Sequence, residues 1–185
     1  MFNDPIAAKK FKDMAKTYGI KTVVETGTYL GDSTLQFAKY VPYVYTVEIN
    51  QEYYIKAANR VCAEKTLNKK LGVIYLHHGN SPDFISYVIG RIFEPVCFYL
   101  DAHWRTYWPL KDELKAIKGK PNSFIIIHDF KVPGKDWGYD IWQGQENSYE
   151  YIKDDLAAIN PNYKISFNEE AEGNKRGILY AIPGN

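Results

Sequence analysis

Ionisable or amide side chains stand where each of five apolar, β-branched segments of the sequence ends. The segments end in Glu25, in Glu48, in the run that starts at His78, in Asp101-Ala-His and in His128-Asp. In an open parallel sheet, ligands bind beyond the carboxyl ends of the strands. A purely structural sheet has no need of such side chains at every strand end. Their accumulation therefore predicts a ligand site along one edge of a sheet.

The elements that must position these side chains alternate between strands and helices. Five apolar runs predict strands at 21–25, 43–49, 71–78, 95–103 and 123–130. Helical spacing and caps predict helices at 5–18, 32–40, 51–65, 81–90, 109–118 and 146–159. This alternation favours an α/β fold, with a parallel sheet covered by helices on both faces.

The C-terminal part departs from the alternation. Two further strands, 163–168 and 177–183, have only the polar segment EEAEGNKR between them. No helix fits in that gap, so an antiparallel C-terminal hairpin is expected. The sequence shows no repeat and no linker, and it predicts a mostly parallel seven-stranded sheet in a single domain over 1–185.

Composition limits the classes of partner. Among 185 residues, 23 are Lys or Arg and 22 are Asp or Glu, for a formal net charge of +1. That balance offers no basic face for a phosphate backbone, so no nucleic-acid partner is expected. No stretch approaches the roughly 18 apolar residues of a membrane span. A cytoplasmic protein without a membrane partner is expected, and Cys62 and Cys97 are interpreted as free buried thiols.

The loop after the first strand, TGTYLGDS, contains Gly27 and Gly31. Glycine lets a backbone turn tightly and approach a ligand without an intervening side chain. The loop matches neither the G-x-G-x-x-G of dinucleotide binders nor a P-loop, and an ordinary strand-to-helix turn remains the alternative. Glu48, at the end of strand two, could accept hydrogen bonds from both hydroxyls of a ribose. The alternative for Glu48 is a solvent-exposed acid at a strand end.

These stretches together resemble the class I S-adenosylmethionine-dependent methyltransferases over nearly the whole chain. VVETGTYLGDST resembles the first motif of that family, and HHGNSPDF is similar to the segment that touches adenine, with an Asn where Asp is common. The resemblance implies a Rossmann-like three-layer sandwich. It also implies S-adenosylmethionine as cofactor, held by these residues: Glu25, Gly27, Thr28, Gly31, Ser33, Glu48, Asn80, Ser81 and Asp101.

The stretches FYLDAHW and IIIHDF look like those of sugar and natural-product O-methyltransferases and of the related catechol type. In metal-dependent members, acids after strands four and five bind a divalent cation, and Asp101 and Asp129 hold those positions here. The further Asp or Asn of that metal set is Phe130 in this chain. Two alternatives stay open: a divalent cation such as Mg²⁺, or a metal-free acid/base site. The candidates for catalysis are Asp101, His103, His128 and Asp129, since a protonated acceptor requires a base.

Aromatic residues concentrate after the fourth and fifth strands. The irregular segment 131–145 carries Trp137, Tyr139 and Trp142, and WRTYWP begins with Trp104. Such rings can stack on a planar or sugar acceptor, and an aromatic-stapled surface loop is the alternative.

The resemblance implies, as the expected activity, methylation of an oxygen on a small-molecule or sugar-like acceptor. Three rival interpretations are weighed against it. An NAD-dependent oxidoreductase would share the sheet and the ribose acid, but the third glycine of its fingerprint is missing. A nucleic-acid methyltransferase would show a basic face or an NPPY-like motif. A non-catalytic nucleotide-binding protein would have no use for four ionisable residues beyond strands four and five.

Overall fold

The computed structural model describes residues 1–103 and 106–184. The helices and strands within this part of the chain follow the predicted order. They are α1 (Pro5–Thr17), β1 (Thr22–Thr26), α2 (Asp32–Phe37), β2 (Tyr43–Glu48), α3 (Gln51–Leu67), β3 (Val73–His78), α4 (Ser81–Val88), β4 (Val96–Leu100), α5 (Leu110–Ile117), β5 (Phe124–His128), β6 (Ile141–Trp142), β7 (Gln145–Glu146), α6 (Tyr149–Ile159), β8 (Lys164–Phe167) and β9 (Ile178–Ile182).

The main sheet has seven strands in the order β3-β2-β1-β4-β5-β9-β8. Strands β1 to β5 are parallel, whereas β9 runs antiparallel to both β5 and β8. The predicted seven-stranded sheet with its antiparallel hairpin is confirmed. Because the strand order reverses between β1 and β4, their carboxyl ends form the crevice in which such sheets bind ligands.

Two apolar cores lie on opposite faces of the sheet. One face packs against α1 to α3, where Phe11 and Phe37 meet edge to face at 4.7 Å between ring centroids. The other face packs against α4 to α6, with Leu114 and Ile152 fully buried. Strands β1 and β4 are buried along their whole length. Burial on both faces explains why β4, with the sequence VCFYL, is almost continuously apolar.

The segment expected to be irregular contains a short hairpin. Strands β6 and β7 pair antiparallel, and α6 begins at Tyr149 rather than at 146. Gln143 and Gly144 between them have φ of 50° and 83°. Two residues of positive φ are the geometry of the tight turn that closes two-residue hairpins.

The two cysteines differ in their surroundings. Cys97 is buried in β4, as predicted, but Cys62 is exposed on α3, so its predicted burial is wrong. Helix α3 buries only Ala57 and Val61 among its described side chains, and Cys62 lies outside that narrow contact. Within the described part of the chain, no helix combines the length and the apolar character needed to cross a membrane.

Candidate functional site

A cavity of about 1060 Å³ opens at the carboxyl ends of β1 to β5. Of the residues that the sequence predicts for the site, the following line this cavity: Gly27, Glu48, Asn80, Ser81, Asp101, His103, His128, Asp129 and Trp142. Other predicted residues do not contribute to its lining: Glu25, Thr28, Gly31, Ser33, Trp137 and Tyr139. Trp104, also predicted to contact the acceptor, lies outside the described residues.

Gly27 lies where the loop after β1 passes the end of β4. Its φ is +80°, and a Cβ atom there would lie 2.8 Å from the carbonyl oxygen of Asp101. A side chain is excluded both by this close approach and by the left-handed conformation. The two loops therefore meet backbone to backbone at the floor of the cavity.

Glu25 lies behind the cavity wall and is fully buried. Its Oε2 accepts hydrogen bonds from the hydroxyls of Thr34 and Thr46, the latter at 2.7 Å. Burial raises the pKa of Glu25 to about 7, although hydrogen bonds from neighbouring hydroxyls offset part of this effect. Thr28 adds a hydrogen bond to Thr46 at 2.6 Å between the two hydroxyl oxygens. Glu25 and Thr28 thus stabilise the loop from within.

Glu48 lines the cavity and organises its rim. Its two oxygens accept hydrogen bonds from the backbone N–H groups of Tyr29 and Asn50, each at 2.8 Å. These bonds tie the loop after β1 to the start of α3. Tyr29 and Tyr53, which also line the cavity, meet edge to face at 4.7 Å between centroids.

Asn80 is the residue that precedes α4, and its side chain lines the same end of the cavity. Its Oδ1 is buried and has no hydrogen-bond partner among the described residues. Buried polar atoms in folded proteins normally have a partner, so this oxygen marks a place where a ligand donor fits. Glu48 and Asn80 are the residues at this end of the cavity whose oxygens could hold the hydroxyl and amino groups of a nucleoside cofactor.

Asp101, His128 and Asp129 come together at the ends of β4 and β5. The His128 Nδ1 lies 3.0 Å from Asp129 Oδ1 and 3.3 Å from Asp101 Oδ1. The ring N–H is not aligned with either oxygen, so these contacts are ion pairs rather than well-formed hydrogen bonds. Burial by itself lowers the pKa of His128, but the two carboxylates outweigh it and raise that pKa to about 9. The Met1 nitrogen lies 3.1 Å from His128 Nε2.

Arg176 completes this charged group from just before β9. Its Nε donates to Asp129 Oδ1 at 2.5 Å, and its Nη2 donates to Asp140 Oδ1 at 2.6 Å. Burial tends to raise the pKa of Asp129, but the contact with the His128 ring and the hydrogen bond from Arg176 hold it well below its usual range. Burial raises the pKa of Asp140, and the nearby charge of Asp129 adds to that effect. His103 is mostly exposed, and its Nε2 lies 3.8 Å from Asp140 Oδ2.

Sequence reasoning missed Arg176, Asp140 and Asn147. Asn147 is buried, and its amide donates to the carbonyl oxygens of His128 and Asp129 at 3.1 Å and 3.0 Å. The topology contained the signal for Arg176. A strand that runs antiparallel beside β5 starts at the edge where β5 ends, so the residues just before β9 lie near the site.

The aromatic wall of the cavity differs from the predicted one. Trp142 lines the cavity together with Tyr107 and Trp108. Trp137 and Tyr139 instead contact neighbours in their own segment. The Tyr139 hydroxyl donates to Glu146 at 2.7 Å, and the ammonium of a lysine lies 5.1 Å from the Trp137 ring centroid.

A divalent cation fits this donor set poorly. Asp101, His128 and Asp129 offer ligand atoms within 4.8 Å of one another, which satisfies distance alone. However, Mg²⁺ favours a shell of oxygen ligands, and one member of this set is an imidazole. The Oδ1 of Asp129 is also already in contact with the guanidinium of Arg176.

No protein-family model matches the sequence, and no curated protein matches it significantly. Solved structures match the fold. The O-methyltransferase from Bacillus cereus in complex with SAH has a TM-score of 0.62 at 18% identity, over 97% of this chain and 81% of that chain. TomG from Streptomyces achromogenes, an O-methyltransferase involved in tomaymycin synthesis and in complex with SAM, has a TM-score of 0.65 at 14% identity, over 97% and 80%.

This chain has the fold of the class I methyltransferases. The same fold also occurs in an rRNA methylase from Streptococcus thermophilus, with a TM-score of 0.58 at 11% identity, over 93% of each chain. Methyltransferases named for different acceptors therefore share this architecture. The choice of acceptor depends on the side chains that line the cavity and not on the fold.

Proposed function

We propose that the chain is an S-adenosylmethionine-dependent O-methyltransferase that acts on a small molecule, as a single domain over residues 1–185. The observation that carries the proposal is the composition of the cavity. Its end at β1 to β3 offers glycine backbone, Glu48 and the unpartnered oxygen of Asn80. Its end at β4 and β5 offers Asp101 and His128. One cavity thus joins nucleoside-binding groups to acid/base groups.

The cofactor half requires three contacts from this chain. Glu48 would accept hydrogen bonds from the ribose hydroxyls through the lone pairs that its backbone partners leave free. Asn80 would accept a hydrogen bond from the adenine amino group at its buried Oδ1. Gly27 keeps the floor of the cavity free of side chains. S-adenosylmethionine, when bound, supplies a methyl group on a positively charged sulfur.

The acid/base half must hold the acceptor and take its proton. Asp101 Oδ2 accepts a hydrogen bond from the Tyr99 hydroxyl at 3.0 Å, which orients the carboxylate. The pKa of His128, raised to about 9, keeps that ring protonated at neutral pH. Asp101 is therefore the group that accepts the proton of an acceptor hydroxyl, with His103 beside it at the cavity lining. His128 supports Asp101 by direct contact, and Asp129 supports it through His128.

The aromatic wall favours a small acceptor. Trp108 is buried and stacks on Tyr151, with 5.1 Å between ring centroids, so its position is rigid. The Nε1 of Trp142 is buried without a hydrogen-bond partner in the described part of the chain. An indole N–H that lines the cavity can donate to an oxygen of the acceptor. A planar or sugar-like molecule with several oxygens suits this wall.

The first test is calorimetric titration of the purified protein with S-adenosylhomocysteine. We expect binding by the wild type and a loss of about 10- to 100-fold in affinity for Glu48→Ala, the range for removing a hydrogen bond to a charged group. Glu52→Ala is the matched control, because Glu52 is an exposed carboxylate that pairs with Lys56 on the same side of the fold. Circular dichroism checks that each variant is folded.

A second titration with NAD distinguishes the rival that shares this sheet. Binding of NAD without binding of S-adenosylhomocysteine would remove the proposal. If S-adenosylhomocysteine binds, a panel of catechols, phenols and sugars is then incubated with S-adenosylmethionine. Mass spectrometry reads the gain of one methyl group on the acceptor.

A further inference from the structure

Carboxylates and imidazoles crowd the carboxyl ends of β4 and β5. Among the described residues, two sets are close enough to share a metal ion, with ligand atoms within 4.8 Å of one another. One set is Asp101, His128 and Asp129, and the other is His103, Asp129 and Asp140. Because Asp129 belongs to both sets, its contacts decide whether either set is available to a cation.

Asp129 is already bound by a cation of the chain itself. The Arg176 guanidinium places Nε 2.5 Å from Asp129 Oδ1 and Nη2 2.6 Å from Asp140 Oδ1. The same Asp129 oxygen lies 3.0 Å from His128 Nδ1. A divalent ion bound to that oxygen would lie within a few ångströms of the guanidinium. The repulsion between the two positive charges opposes its binding.

The backbone holds Arg176 in this position. Gly138 N donates to Lys175 O, and Gly177 N donates to Gly138 O, each at 3.0 Å. A Cβ atom on Gly138 would lie 2.7 Å from Arg176 Nη1, so the guanidinium packs directly on the glycine backbone. The carbonyl oxygen of Arg176 accepts a hydrogen bond from Asn168 at 3.1 Å. These contacts connect the segment before β6 to the residues before β9 through the arginine.

Asp129 also has a left-handed backbone conformation. Its φ is 53°, in the left-handed region that residues other than glycine rarely adopt. This conformation turns its carboxylate towards Arg176 and His128. The buried amide of Asn147 fixes it by donating to the Asp129 carbonyl oxygen at 3.0 Å.

We propose that Arg176 is the resident cation of this site, that it takes the place of a divalent metal ion, and that it positions Asp129 and Asp140 beside the cavity. Arginine keeps its charge at every relevant pH and matches carboxylates in geometry. The proposal deepens the proposed function. Its positioning part rests on methyl transfer by this protein, whereas its metal part rests on the geometry alone and is tested without any activity.

The metal part is tested by titrating the wild type and Asp129→Asn with Mn²⁺ and following free Mn²⁺ by electron paramagnetic resonance. We expect weak, unsaturable uptake that is the same in both proteins. Saturable uptake of one equivalent by the wild type, lost in Asp129→Asn, would overturn the proposal. Arg176→Lys, titrated in parallel, keeps a positive charge and should behave as the wild type does.

The positioning part is tested with Arg176→Ala, using Arg91→Ala as control, because Arg91 is an exposed arginine that stacks on Tyr87 away from the site. We expect a fall of about 10- to 100-fold in the rate of methyl transfer for Arg176→Ala, with unchanged affinity for S-adenosylhomocysteine. Millimolar guanidinium chloride should restore part of the rate, and Mg²⁺ should not.

Full activity of Arg176→Ala, or rescue by Mg²⁺ alone, would contradict the positioning role. If Arg176→Ala does not fold, Arg176→Lys takes its place, and loss of the guanidinium geometry should still lower the rate. If the wild type transfers no methyl group at all, the positioning part falls with the proposed function. The Mn²⁺ titration then decides the metal part separately.

Discussion

The buried carboxylates of this molecule form two groups whose pKa values shift in opposite directions. Glu25 on β1 and Glu113 on α5 are fully buried among hydroxyl groups, and burial raises the pKa of each to about 7. Asp129 at the end of β5 is also mostly buried, but it contacts Arg176 and His128, and its pKa stays well below the usual range. The difference lies in whether a cation is within reach, because burial alone disfavours the charged form in every case.

The two kinds of carboxylate also lie in different places. Neither oxygen of Glu113 has a well-formed hydrogen bond within the described part of the chain, although the hydroxyls of Ser81 and Thr26 lie close enough to lower its pKa somewhat. A carboxyl group in such surroundings serves the scaffold and is easily neutral. Asp129, which is paired with Arg176, lines the cavity instead, where its charge can act on a ligand.

The largest expected effect is on the rate of methyl transfer, which should depend far more on Asp101 than on Glu113. Asp101→Asn should lower the rate of methyl transfer by about 10²- to 10⁴-fold, because it removes the proposed proton acceptor. Glu113→Gln should change the rate by less than about tenfold, since it does not take part in the proton transfer. The measurement is formation of S-adenosylhomocysteine with an acceptor from the panel. Asp136→Asn, on an exposed loop, is the control.

An equal loss in Asp101→Asn and Glu113→Gln would break the comparison. The two groups would then act as one network rather than as a scaffold and a catalytic centre.

The next effect is on how the free energy of unfolding changes with pH. The pKa of Glu113 is raised from 4.5 to about 7 on folding, so its contribution is fully present below pH 4.5 and is lost as pH rises through 7. The stability of Glu113→Gln relative to the wild type should therefore be about 3 kcal/mol greater at pH 8 than at pH 4. Urea unfolding followed by circular dichroism measures it, and Glu64→Gln, an exposed residue on α3, should show no such change.

The stability of Asp129→Asn relative to the wild type should change with pH in the opposite direction. The depressed pKa of Asp129 contributes stability that is present above its unfolded value and is lost as pH falls. Asp129→Asn should therefore be destabilised relative to the wild type at pH 8, and less so at low pH. If the stabilities of both variants relative to the wild type changed with pH in the same direction, Arg176 would not offset the effect of burial on Asp129.

The smallest effect concerns the place where the two halves of the site touch. Gly27→Ala would put a Cβ atom 2.8 Å from the Asp101 carbonyl oxygen, at a φ of +80°. We expect a loss of about 2–3 kcal/mol in the free energy of unfolding. Gly19→Ala shares the positive φ of +60°, but no described atom lies within 4 Å of its added Cβ. That variant should lose only about 1–2 kcal/mol, the cost of the left-handed conformation itself.

Thermal unfolding of the two glycine variants measures the difference. Equal losses would mean that the loop after β1 can move away from β4, and that the two halves are not rigidly joined at Gly27.

Local patterns in the sequence predicted the order of strands and helices and many of the residues that line the cavity. Glu48, Asn80, Asp101 and His128 each end or follow a strand, and parallel strands bring such residues to one edge. These patterns did not distinguish the residues that line the cavity from the residues that support its wall. Glu48 is the last residue of β2 and lines the cavity, whereas Glu25 lies one residue before the end of β1 and points at threonine hydroxyls behind the wall.

The sequence by itself determined the alternation of strands and helices, the closing hairpin and the edge of the sheet at which the cavity opens, because hydrophobic periodicity and strand ends are local properties. Only the tertiary structure decided which charges meet there. Arg176 is 47 positions from Asp129 along the chain, and the two join because β9 runs antiparallel beside β5. Whether a buried carboxylate stays ionised depends on such contacts between distant residues, and no local pattern records them.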